Sequence, residues 1–118
     1  MVAEKLSKEK RDGIVKKIWP VLKVDSYLSE EMAELARERG GNGDPLNYLY
    51  DGEILIDEVA EAMVEVGLYP DFASVPYEAN GIADLVTHEV YRRLRRIQYT
   101  ENKIVEAQEE LKRLREGL

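Results

Sequence analysis

Cysteine is absent from this chain, so disulfides, thiolate nucleophiles and thiolate metal sites are excluded. Histidine occurs once, at His88, which rules out a multi-histidine metal site within one chain. No apolar run approaches the roughly 20 residues that span a bilayer, and none follows the charged start as a secretory signal requires. A cytoplasmic protein with no membrane segment is therefore expected. Asn and Gln are few while charged residues make up 35% of the chain, a mix that leans towards a thermophilic source. Proline and glycine are missing from residues 82–116, and these are the residues that most reliably interrupt helices.

That last absence predicts one helix from Ile82 to Glu116, roughly 50 Å long at about 1.5 Å per residue. Along it Val90, Ile97, Ile104, Leu111 and Leu118 recur every seven residues and trace one apolar line with a slow drift. The neighbouring line begins at Leu94 but continues as Glu101, Gln108 and Arg115. This is half of a coiled-coil seam. A lone helix gains nothing by presenting Ile97, Ile104, Leu111, Leu114 and Leu118 to water. Val90, Leu94, Ile97, Ile104, Leu111, Leu114 and Leu118 are accordingly the expected contact residues for a second copy or another helical partner.

Upstream, short helices are expected. Ser7 caps a first one, with Ile14, Val15, Ile18, Trp19 and Leu22 at helical spacing. Pro20 should kink or stop it near Trp19. A second helix begins at Asp25 or Ser26, carries Leu28, Met32, Leu35 and Ala36 inward, and stops at Gly40. After the glycine-rich loop, Asp44 and Pro45 start one helical turn that ends near Gly52. Residues 53–66 form an amphipathic helix with Leu55, Ile56, Val59, Ala60, Met63 and Val66 on its apolar face; Gly67 and Pro70 close it. Asn80–Gly81 marks either the start of the long helix or a break within it. No strand is expected. The predicted fold is all-α and a single domain: a small bundle of three short helices within residues 1–81, packed on the first half of a long C-terminal helix, 82–118, that protrudes as an arm.

The net charge of −7 is unevenly spread: +3 over residues 1–25, −13 over 26–90 and +3 over 91–118. Within the acidic block, Glu31 and Glu34 belong to an E-E-M-A-E-L stretch, and Glu58 and Glu61 to E-V-A-E. These residues resemble the acidic helix pair of the all-α nucleoside triphosphate pyrophosphohydrolases (MazG-like), over about 40 residues. The resemblance implies Mg²⁺ held by those four carboxylates against substrate phosphates, since Mg²⁺ prefers hard oxygen ligands. The chain departs from the family pattern at Glu61, where the family has Asp. With about 100° per residue, Glu58 and Glu61 also fall well off the apolar face centred on Val59. A solvated acidic surface is the plain reading of the block, and mimicry of nucleic acid towards a basic partner is a further one.

Arg92, Arg95 and Arg96 form the densest basic patch, and they share a helix face with Tyr99. Such a patch serves phosphate contact or salt bridging. In an acidic chain without a nucleic-acid motif, salt bridging is expected and nucleic acid is not. His88 alone makes no catalytic case, and Ser7, Ser26, Ser29 and Ser74 sit where caps and turns account for them. The expected function is non-enzymatic assembly through the C-terminal helix, with no cofactor; Mg²⁺ belongs only to the hydrolase alternative.

Overall fold

A computed structural model describes residues 6–40 and 43–117. Among the described residues six α-helices follow in order: α1 Lys8–Ile18, α2 Val24–Tyr27, α3 Glu30–Glu38, α4 Pro45–Asp51, α5 Ile54–Glu65 and α6 Ile82–Arg115. Short 3₁₀ turns at Trp19–Val21 and Phe72–Ser74 join them, and no strand occurs among the described residues. The expected all-α architecture is present, with short helices gathered on the first half of the long one.

Local chemistry accounts for most boundaries. The Ser7 hydroxyl accepts from the Lys10 N–H at 3.2 Å and starts α1. Pro20 lacks an amide hydrogen, so the chain tightens into the 3₁₀ turn at Trp19–Val21 instead of continuing α1. Asp44 accepts from the Leu46 N–H at 3.1 Å and Pro45 fills the first position of α4. At the end of α5, Gly67 is left-handed at φ 84°. The Leu68 N–H then reaches back to the Met63 carbonyl at 2.9 Å, satisfying a carbonyl the helix would leave open.

The second expected helix is divided. It is broken at Leu28–Ser29 into the four-residue α2 and the longer α3. The Ser29 hydroxyl accepts from the Met32 N–H at 3.3 Å, so Ser29 caps a new helix in place of continuing the old one. As a consequence α3 turns Ala33 and Ala36 inward while Leu35 stands exposed. Asn80–Gly81 proves to be the start of α6: Asn80 is left-handed at φ 68°, and its N–H is taken by Asp84 Oδ2 at 3.1 Å.

The core lies between α1, α4, α5 and the first four turns of α6. Val15 and Ile18 of α1, Leu46 and Leu49 of α4, Leu55, Val59 and Met63 of α5, and Val86, Val90 and Leu94 of α6 are all fully buried. Past Leu94 the short helices run out. Every described residue from Tyr99 to Gly117 is exposed. The molecule measures 66 × 33 × 25 Å with a radius of gyration of 17.5 Å. A compact chain of this length has a radius near 13–14 Å, so the excess is the arm. No helix among the described residues is long and apolar enough to cross a membrane.

Candidate interaction surface

Because α6 runs without interruption from core to tip, one apolar line is divided into two parts by the extent of the short helices. Val90 and Leu94, expected to contact a partner, are fully buried in the chain's own core and are unavailable for pairing. The physical reason is that α1 and α5 pack on α6, and both side chains belong to the same core cluster as Val15, Ile18, Val59 and Met63. Ile97 is half-buried at the boundary. Ile104, Leu111 and Leu114 are 52%, 48% and 63% exposed, and Leu118 lies outside the described residues.

The seam is also fuller than the line through Leu94 suggests. Thr100, Ala107 and Leu114 fall three residues after Ile97, Ile104 and Leu111, so the two lines alternate on one face of the arm. Glu101, Gln108 and Arg115 flank this face. Thr100 and Ala107 carry small apolar surface and are easily passed over in sequence; their three-residue offset is the signal that finds them.

At the base of the arm the seam opens into a depression of about 420 Å³, lined by Trp19, Arg93, Arg96, Ile97, Thr100 and Glu101. Trp19 is positioned by the 3₁₀ turn that Pro20 enforces. It packs against the core and also lines this depression. Arg93 ties α1 to the same face through Asp12 at 3.1 Å.

The basic patch is largely consumed by ion pairs. Arg92 meets the buried Glu89 at 3.1 Å, and Arg93 also reaches Glu89 at 3.5 Å. Arg95 pairs with Asp44 at 2.6 Å and donates to Asn47, the Tyr91 hydroxyl and Gln98, so it clamps α4 onto α6. Arg96 is exposed and makes no ion pair among the described residues. These contacts set the electrostatics of the clamp. Burial raises the Asp44 carboxyl, but the hydrogen bonds from Arg95, Gln98 and the Leu46 N–H outweigh it and hold Asp44 below its ordinary 3.8. A carboxylate lowered in the folded state adds stability above its unfolded value, and that contribution is lost as pH falls through the folded value. Urea midpoints taken from pH 5 downward should therefore drop for the native chain, beginning as pH approaches about 4. With Arg95→Met the starting stability is lower and this part of the acid slope is reduced, Gln98 and the Leu46 N–H remaining; an unchanged slope would show that the Arg95–Asp44 pair contributes nothing.

The acidic residues do not assemble. Glu31 and Glu34 are exposed on α3, which packs chiefly on α4 and α2. Glu61 is exposed and Glu58 half-buried on α5. Both lie towards Tyr27 of α2: burial first, then Glu58, pushes the Tyr27 hydroxyl up to about 12, with Glu61 adding to the rise. Among the described residues no group of three or more carboxylates or imidazoles is disposed to hold an ion. His88 meets the Tyr50 hydroxyl at 3.0 Å and Asp84 at 3.2 Å, both through Nε2. Together the three side chains form a surface hydrogen-bond junction between α4 and the start of α6. Tyr77 donates to Asp57 nearby and pins the connector to α5.

No family model, no curated protein and no solved structure matches this chain.

Proposed function

We propose that this chain is a non-enzymatic assembly module that joins a second copy of itself, or another helical partner, through the distal half of α6. One observation carries the reading: Ile104, Leu111 and Leu114 stand about half exposed on one face of a helix that continues far beyond its own core. The cost of ordering and exposing such a face is offset only when something covers it.

The magnitudes define the kind of assembly. Each of these side chains is already half covered by its own helix, so pairing adds roughly 1 kcal/mol per residue, about half the value of full burial. Three such side chains on each of two arms contribute on the order of 6 kcal/mol, against an association cost of about 4–15 kcal/mol. Arm-to-arm contact is then weak, and association depends on concentration and on further contacts near the base.

The test is the solution mass of the full chain and of a version ending at Gln98, each over a wide concentration range. Every described residue that the shortened chain loses is exposed, so it should keep its helical fold and stay monomeric. The full chain should gain mass with concentration. The same number of copies per particle in the two versions would remove the arm as the assembly element.

A further inference from the structure

Resting on the reading of the arm as a pairing surface, we infer that its occupant is the arm of a second copy running antiparallel, with each tip seated in the partner's Trp19 depression. The bare face is complementary to itself about its own midpoint. When Ile97 lies opposite the partner's Leu114, Thr100 meets the partner's Leu111 and Ile104 meets the partner's Ala107. Every small residue then faces a large one, which fills the seam evenly. A parallel pair sets Ala107 against Ala107 and Thr100 against Thr100, leaving gaps between bulky layers.

Charge agrees with this register. Lys103 and Glu110 lie on the same flank of the seam, and in the antiparallel pair each meets the other's counterpart, giving two cross-arm ion pairs. Parallel arms would also bring opposite charges together, Arg96 with Glu101 and Glu110 with Arg115, so charge alone does not select the direction.

The position of α1 does. Arg93 is on the same seven-residue line as Thr100, Ala107 and Leu114, and it is bonded to Asp12 of α1. Trp19, just past α1, lines the same face as Ile97 and Thr100. The upstream end of the seam is thus already occupied by α1 and the turn that follows it. Packed helices have axes about 8–10 Å apart. Parallel arms would bring two α1 helices into that gap at one level, where neither fits. Antiparallel arms keep the two apart, and each tip meets Trp19 where α1 ends. The helix also stops at the right place: α6 ends at Arg115, one residue past Leu114, and Gly117 turns left-handed at φ 83°.

The absence of cysteine and the single tryptophan make the test direct. Thr100→Cys and Leu111→Cys are prepared separately in the full chain and oxidised alone and mixed. Antiparallel pairing places residue 100 about 16 Å along the axis from its own copy, far outside disulfide reach. Each variant alone should therefore stay uncrosslinked, and the mixture should yield a covalent heterodimer. Ile97→Cys with Leu114→Cys repeats the measurement in the same register. Trp19 emission should move to shorter wavelength as the native chain associates, and should not change with concentration in the version ending at Gln98. Self-crosslinking of each single variant, with fixed Trp19 emission, overturns the antiparallel arrangement but keeps the arm as the pairing surface. Association that survives removal of the arm overturns that reading itself. A full chain that stays monomeric at every concentration overturns self-pairing.

Discussion

Leu94→Ala should lower the stability of the monomer by about 2–5 kcal/mol. Leu94 is fully buried and is the last such rung of α6 before the short helices end. Removing its branched end deletes contacts within the core cluster and leaves a cavity that rigid helix backbones close only in part. Domains of this size commonly have a total of 5–15 kcal/mol, so the loss is a large fraction of the whole. The check is urea unfolding at low protein concentration, followed by helical circular dichroism. A midpoint lower by about 1 M or more is expected. A loss below about 1 kcal/mol would mean that the core effectively ends at Val90 and that α1 collapses into the space.

Gly81→Ala should cost about 1–3 kcal/mol for a different reason, crowding instead of a void. At φ −72° and ψ 171° the Gly81 backbone suits any residue, so torsion raises no objection. The obstacle is steric. A Cβ there lies 2.8 Å from the carbonyl oxygens of both Pro76 and Glu78, and both are backbone. Neither yields easily, because the Ala83 N–H binds Pro76 at 3.0 Å and the Gly81 N–H binds Glu78 at 2.7 Å. The first turn of α6 must shift or give up these bonds. Gly13→Ala is the matched control: its Cβ meets nothing within 4 Å on exposed α1. It should stabilise by roughly 0.5–1 kcal/mol, the usual gain of Ala over Gly in a helix. Opposite signs in thermal unfolding support the steric account; a neutral Gly81→Ala would end it.

Much of this architecture is legible in the residues. The absence of Pro and Gly from residues 82–116 gives α6, Gly67 and Pro70 close α5, and Asp44–Pro45 opens α4. The division at Ser29 is less visible, because Leu28, Met32 and Leu35 keep helical spacing straight across it. A hydroxyl that caps and a hydroxyl that sits inside a helix look alike until the backbone has chosen. The site is legible in outline only. Val90 and Leu94 carry the same periodicity as Ile104 and Leu111, and nothing in that spacing says which are covered. The answer depends on where α1 stops, and so on a tertiary fact set by Pro20 and the Trp19 turn. The second line of the seam was obscured for another reason: Thr100 and Ala107 are too small to register as apolar markers.

The unbroken course of α6 from Ile82 to Arg115 makes the arm a lever with its fulcrum in the core. From Leu94 to Arg115 the helix extends about 30 Å. A tilt of about 5° at the fulcrum therefore carries the tip sideways by roughly 3 Å, comparable to half the spacing between neighbouring side chains on a helix face. Packing errors too small to matter inside the body are magnified at the far end. The tightness of the layers at Val86, Val90 and Leu94 thus governs aim as well as stability, although none of the three touches whatever the tip meets.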